Sequence, residues 1–212
     1  MRRSFIFTGG IVDSYNNLPI RPDDTDLIIC ADSGINHCIA SNIKPHIWVG
    51  DFDSSDFESF ENSELLKDTK IVRLSPCKDD TDTEHALHIA MDMGFSDVVI
   101  VGGFGGRLDH TMANAFLAEE AYNFGVTLTV EDDKNVLHYL KNDTLHLKKS
   151  RLKYISVIPI EDSLVSCTGF LYPLTNEKLR RGPARGVSNE LENDEGFITI
   201  HKGCAFIVES MD

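Results

Sequence analysis

Asp51 and Asp53 stand one residue apart, directly after the apolar run Ile47–Val49. Two carboxylates at that spacing, just past a buried strand, can face the same way and hold Mg²⁺ through oxygen ligands. The plainer alternative is a polar turn in which Ser54 and Ser55 cap a following helix. A second charged group, Lys78-Asp79-Asp80-Thr81-Asp82, lies between another apolar run and a helical pattern. There Lys78 can meet phosphate oxygens, Asp82 can join the metal ligands, and the first amides of the helix can bind an anion. A solvated loop with Thr81 or Asp82 as helix cap accounts for the same residues. The sharpest signal is Gly102-Gly103-Phe104-Gly105-Gly106-Arg107-Leu108-Asp109-His110. Four glycines in five residues are costly in chain entropy, and mark either close backbone approach or a flexible turn. Arg107 adds a guanidinium fork suited to phosphate oxygens. Neither the G-x-x-x-x-G-K-[ST] loop nor a clean dinucleotide-binding G-x-G-x-x-G is present.

Other residues carry weaker signals. Asp32, in Ala31-Asp32-Ser33-Gly34, is a further carboxylate at a strand end or else a helix cap. Ser188 and Asn189 sit in Gly186-Val187-Ser188-Asn189-Glu190, which alone reads as a turn entering a strand. His85 and His88 lack H-E-x-x-H spacing and read as structural or solvent-facing rather than as zinc ligands. Trp48 lies inside a strand run and reads as core.

Strands must position these groups. Ser4–Phe7, Leu27–Ala31, Ile47–Val49, Lys70–Leu74, Val98–Val101 and Val126–Val130 are short apolar runs, each followed by polar or glycine-rich punctuation. They are apolar throughout rather than alternating, as parallel strands covered on both faces should be. Helical stripes lie between them: Ala86, Ile89, Ala90 and Met93, then Ala113, Phe116, Leu117, Ala121 and Phe124. Alternation of the two predicts a mostly parallel α/β sheet domain over residues 1–135. Beyond it the helical period disappears. Pairs such as Leu145 and Leu147, or Ile155 and Val157, repeat near period two between turn signals. Residues 136–212 therefore read as a small all-β sandwich, with LRRGPARG as a loop. A parallel sheet gathers its strand ends on one edge. Asp32, Asp51, Asp53, Asp82 and Asp109 should meet there with Lys78 and Arg107. So many carboxylates are unfavourable together unless cations neutralise them, and the set matches what Mg²⁺–polyphosphate chemistry requires.

Composition limits the alternatives. Lys and Arg total 20 against 34 Asp and Glu, a formal net charge of −14. A general nucleic-acid binder needs a basic footprint and is disfavoured. No apolar run reaches the ~18 residues of a membrane helix, and MRRSFIFTGG reads as a first strand rather than a secretion signal. Five scattered cysteines without a C-x-x-C pair fit reduced thiols and a cytoplasmic setting.

The motifs together resemble the thiamine pyrophosphokinase (thiamine diphosphokinase) family. ADSGIN is similar to that family's ADGGAN, GDFDS to its metal motif and KDDTD to its K-D-x-T-D. GGFGGRLDH is similar to its G-G-x-G-G-R-x-D-H, and GVSNE to its late S-N element, all in the family's order. Ser33 departs from the usual glycine. Phe206 stands, by ungapped placement, where some relatives carry a tryptophan that stacks on thiamine. The resemblance implies an α/β catalytic, ATP-binding domain and a β-sandwich thiamine-binding and dimerisation domain. It implies a homodimer whose active site is shared between subunits. The implied reaction moves the diphosphate of ATP to the hydroxyl of thiamine and leaves AMP. It further implies Asp51, Asp53 and Asp82 as Mg²⁺ ligands. Asp32, Lys78, Thr81, Gly103, Gly105, Gly106 and Arg107 fall on the ATP side, and Asp109, Ser188, Asn189 and Phe206 on the thiamine side. The rival expectations are another Mg²⁺-dependent phosphotransferase or phosphohydrolase, or a non-catalytic thiamine or nucleotide sensor.

Overall fold

The uninterrupted apolar runs of the first half form parallel strands. The computed structural model describes residues 2–52, 63–75 and 79–212; Asp53 and Lys78 lie outside the described residues. The chain divides into two units, Met1–Asp133 and Lys134–Asp212. In the first, β1 (Arg3–Phe7), β2 (Leu27–Ala31), β3 (Ile47–Gly50), β4 (Lys70–Arg73), β5 (Asp97–Val101) and β6 (Thr127–Glu131) lie in the order β4-β3-β2-β1-β5-β6. Every neighbouring pair is parallel. All of β2 is buried, whereas β4 at the edge leaves Ile71 exposed. The strand order turns back between β1 and β5, which opens a crevice outside their carboxyl ends. Phe5, Phe7, Cys30, Trp48, Val99 and Val101 pack with Ile35 and Cys38 on one side of the sheet.

Three helices of the described residues follow strands: α1 (Ile35–Ser41), α2 (Asp82–Asp92) and α3 (Leu108–Asn123). Thr81, not Asp82, is the cap of α2. Its hydroxyl accepts the Glu84 N–H at 3.1 Å, and the Glu84 carboxylate accepts the Thr81 N–H at 3.4 Å. This reciprocal pair satisfies two amides that the helix leaves open. Thr81→Ala should therefore cost about 1 kcal/mol of stability, read as a lower urea midpoint with an unchanged slope.

The helix faces differ from the expected stripes. On α3 the buried residues are Asn114, Ala115, Leu117, Ala118 and Ala121, while Phe116 and Phe124 are 43% and 68% exposed. The alanines let α3 lie close on β6, and so short a separation leaves no room for a phenyl ring. On α2, Ala86 and Ala90 face inward as expected, but Leu87 is buried between them and Met93 is exposed.

The second unit is antiparallel throughout. β13 (Cys204–Ser210) runs between β7 (Asn135–Lys141) and β9 (Tyr154–Pro159). β8 (Thr144–Lys148), β10 (Ser163–Thr168), β11 (Leu174–Leu179) and β12 (Glu195–Lys202) form a second sheet in the order β11-β10-β12-β8. Val157 and Ile207 from one sheet meet Val165, Cys167, Ile198 and Ile200 from the other in one core, as in a sandwich. The Arg-, Gly- and Pro-rich segment after Leu179 is an exposed loop. Among the described residues, no helix is long and apolar enough to cross a membrane.

Candidate active site

A cavity of about 380 Å³ opens at the carboxyl edge of the parallel sheet. Thr8, Gly9 and Gly10 reach it from the end of β1, Asp32 and Ser33 from β2, and Thr81, Asp82 and Thr83 from the start of α2. The glycine turn after β5 supplies Gly102, Gly103, Gly105 and Gly106, and Arg107 and Asn114 enter from α3 and its cap. The two glycine turns are laced together. The Gly10 N–H donates to the Gly102 carbonyl at 2.9 Å and the Ile11 N–H to the Phe104 carbonyl at 3.0 Å. A Cβ at Gly10 would lie 2.0 Å from the Gly102 oxygen, so only glycine permits this approach.

Side chains that carry no obvious chemistry hold the edge in place. The Trp48 indole N–H donates to the Asp32 carbonyl at 3.0 Å, which supports Asp32 at a φ of +46°. The buried Asn114 amide donates to the Gly103 carbonyl at 3.0 Å. The Thr8 and Thr83 hydroxyls share a hydrogen bond at 2.9 Å and tie β1 to α2. Sequence reasoning gave Trp48 to the core, where it lies 3% exposed, but missed its donor role. It missed Asn114 too, although a polar residue in line with Leu117, Ala118 and Ala121 is the signal of a buried donor.

Of the predicted site residues, Asp32, Thr81, Asp82, Gly103, Gly105, Gly106 and Arg107 share this cavity. Asp51 follows β3 at the same edge and is half-buried, but it is not among the described lining residues. Asp109 lies beside Arg107. The Arg107 Nη2–H and Nε–H donate to its two carboxylate oxygens at 2.5 Å and 3.1 Å. That guanidinium holds the Asp109 carboxyl down at about 2. His85 bonds Asp80 at 3.0 Å and His88 bonds Glu120 at 2.8 Å, both on the flanks of α2.

In the second unit, Ser188 has a φ of +60°, and its N–H donates to the Ser156 hydroxyl at 3.0 Å. Asn189 exchanges backbone bonds with Ile155. Its side-chain amide donates to the Tyr172 carbonyl at 2.8 Å and accepts the Tyr172 N–H at 3.1 Å, which fixes the turn after β10. Phe206 is 8% exposed, with its ring edge-to-face on Tyr139 at 6.2 Å.

A family model described as the thiamin pyrophosphokinase catalytic domain matches residues 22–130, and one described as its vitamin B1 binding domain matches residues 142–205. The chain belongs to the thiamin pyrophosphokinase family. It is 28% identical to the thiamine pyrophosphokinase of Bacillus subtilis (strain 168), over 100% of both chains. It is 27% identical to thiamin pyrophosphokinase 1 of Caenorhabditis elegans, over 78% of this chain and 70% of that one. The crystal structure of the Bacillus subtilis enzyme superimposes with a TM-score of 0.88 and full coverage of both chains at 28% identity. That of a thiamin pyrophosphokinase family protein from Enterococcus faecalis gives 0.84 at 26% identity, again over 100% of both chains. The thiamin pyrophosphokinase catalytic match takes in the cavity from Asp32 to Asn114. The vitamin B1 match takes in Ser188 and Asn189 and stops one residue before Phe206.

Proposed function

We propose that this chain is a thiamine diphosphokinase, transferring the β,γ-diphosphate of ATP to the hydroxyl of thiamine to give thiamine diphosphate and AMP. One observation carries the reading: carboxylates, a guanidinium and two glycine turns share a cavity at the switch point of the parallel sheet, in the unit that matches the family's catalytic domain.

The carboxylates of Asp32 and Asp82 offer hard oxygen donors of the kind Mg²⁺ takes, and a triphosphate beside them needs a cation between. Asp51, Asp53 and Asp82 are the proposed ligands. A Mg²⁺ ion held by these residues would supply neutralising charge to the phosphate oxygens, as attack by an alcohol on the β-phosphorus requires. Arg107 and Lys78 hold the transferred and departing phosphates. Because AMP leaves, their positive charge is best used at the α–β bridging oxygen, unlike in a kinase that transfers the γ-phosphate. Thr81 and the amides of Gly103, Gly105 and Gly106 line the path of the phosphates, and Asp32 supports the nucleotide. Asp109 orients the thiamine hydroxyl. Catalysis on this reading is positioning and electrostatics, with no covalent step by the protein.

Thiamine contacts come from Ser188, Asn189 and Phe206 of a second copy, so the working unit is a homodimer with shared sites. Thiamine is a cation, and a chain of net charge −14 attracts it. The cytoplasm suits a chain whose described cysteines are thiols rather than disulfides. Incubation with Mg²⁺, ATP and thiamine, followed by chromatography, should yield AMP and thiamine diphosphate in equal amounts. ADP or free phosphate would point to another phosphotransferase or a hydrolase, and binding without product to a sensor; either overturns the reading. Phe206→Ala should raise the KM for thiamine about tenfold and leave that for ATP nearly unchanged. Equal small rises in both would remove Phe206 from the thiamine side.

A further inference from the structure

His37 is a half-buried residue on α1, directly after the ADSGIN segment and outside the motifs used above. Its Nε2 lies 2.8 Å from the Gly10 carbonyl and its Nδ1 2.7 Å from the Tyr15 hydroxyl. A carbonyl only accepts, so Nε2 carries the proton and donates to Gly10. In the neutral ring Nδ1 is then the acceptor, and the Tyr15 hydroxyl donates to it. Burial pulls the His37 pKa below its ordinary value and favours this neutral form. The ring also stands where Gly102 has no side chain. A Cβ there would lie 3.2 Å from Nε2 and 2.8 Å from the Thr8 carbonyl, at a φ of +73°. One imidazole thus touches both glycine turns of the cavity: Gly10 through a hydrogen bond, and Gly102 through close packing.

We propose that His37 is a positioning residue, clamped by Tyr15, that holds the Gly9-Gly10 and Gly102-Gly103 turns in register for the phosphates of ATP. The proposal rests on the diphosphokinase reading for its ligand but not for its geometry. Backbone bonds from Gly10 to Gly102 and from Ile11 to Phe104 already join the two turns, and the imidazole adds a side-chain restraint that the glycines themselves cannot bring. Loss of the Nε2 donor leaves the Gly10 carbonyl short of its partner and lets the segment drift from Gly102. The effect should fall on the nucleotide side, because the described hydrogen-bond partners of the ring are Gly10 and Tyr15, neither of them a proposed thiamine contact.

The test compares His37→Ala, His37→Gln and Tyr15→Phe in three measurements: steady-state kinetics, calorimetric titration with Mg-ATP, and hydrogen exchange of peptides spanning residues 8–12 and 101–105. His37→Ala should raise the KM and Kd for Mg-ATP roughly tenfold, a loss of the size expected for one buried hydrogen bond. It should leave the thiamine KM within twofold and speed exchange in both peptides. Glutamine keeps an N–H at similar reach, so His37→Gln should stay within about threefold of the parent. Tyr15→Phe should act in the same direction but more weakly. The proposal falls if His37→Ala leaves Mg-ATP affinity and exchange unchanged. It falls equally if both substrates suffer alike, or if glutamine is as damaging as alanine. Should His37→Ala fail to fold, unchanged nucleotide KM and exchange in Tyr15→Phe would overturn it. A parent protein that makes no AMP would defeat the kinase reading, while the exchange data would still decide the clamp.

Discussion

Asp82→Asn should lower kcat/KM for Mg-ATP on the order of a thousandfold, the scale of several kcal/mol that a metal ligand supplies to charge stabilisation. The fold should survive. Asparagine has nearly the same volume, and the cap of α2 is the Thr81–Glu84 pair, which the substitution leaves in place. The helix loses only a favourable first-turn charge, worth about 0.3–1 kcal/mol. A large catalytic loss beside a small stability loss is therefore the signature of a ligand rather than of a structural acid. The dependence on Mg²⁺ should also move to higher concentration, since a site with one fewer charge holds the cation less well. Asp51→Asn should act in the same direction. Asp32→Asn is a useful companion, because asparagine tolerates the left-handed backbone found at Asp32. Steady-state kinetics across a Mg²⁺ titration, with circular dichroism as the control for folding, make the check. Turnover by Asp82→Asn within fivefold of the parent would remove Asp82 from the metal site.

The parallel sheet was legible because burial on both faces leaves a plain trace. Leu27–Ala31 and Val98–Val101 are apolar without interruption, and they are the buried strands β2 and β5. Strand order was not legible, since no local pattern says that β1 lies between β2 and β5. The β half was read more thinly. β10 buries Ser163, Val165 and Cys167 on one face, small residues that give little hydrophobic contrast. β11, an edge strand, is mostly polar. The helix faces were misread where alanine and phenylalanine competed. Hydrophobicity favours Phe116 as a core residue, but close packing of α3 on the sheet favours alanine. At the site, motif residues stood out through charge and glycine content. Trp48 and His37 did not, because each acts by a hydrogen bond to a backbone carbonyl at the end of another strand. Such bonds exist only once the strands have been brought together.

Arg107→Ala should give two separate signals, and their combination identifies what the guanidinium does. The first is electrostatic. The Asp109 carboxyl sits at about 2 because Arg107 donates two hydrogen bonds to it. Its folded-state pKa is thus depressed below the ordinary carboxylate value of about 3.9. The pair is fully formed above that ordinary value and is lost only as pH falls through about 2. Without the guanidinium, Asp109 should titrate higher, visible as an upward shift of its carboxyl resonance midpoint. Both side chains are largely exposed, at 71% and 65%, so the global stability of the variant should hardly change. The second signal is catalytic. A donor aimed at charge that develops on the leaving group is worth about a hundredfold to a thousandfold in kcat, and Arg107→Ala should lose that much. The two signals are linked, since the fork edge formed by Nε and Nη2 is the one that Asp109 occupies. If phosphate takes this edge, Mg-ATP must displace Asp109 and raise its pKa in the parent protein as well. Arg107→Lys keeps the charge but not the fork, and should recover only part of the activity. Turnover near the parent value in Arg107→Ala, with Asp109 nonetheless titrating higher, would leave Arg107 as the partner of Asp109 and nothing more.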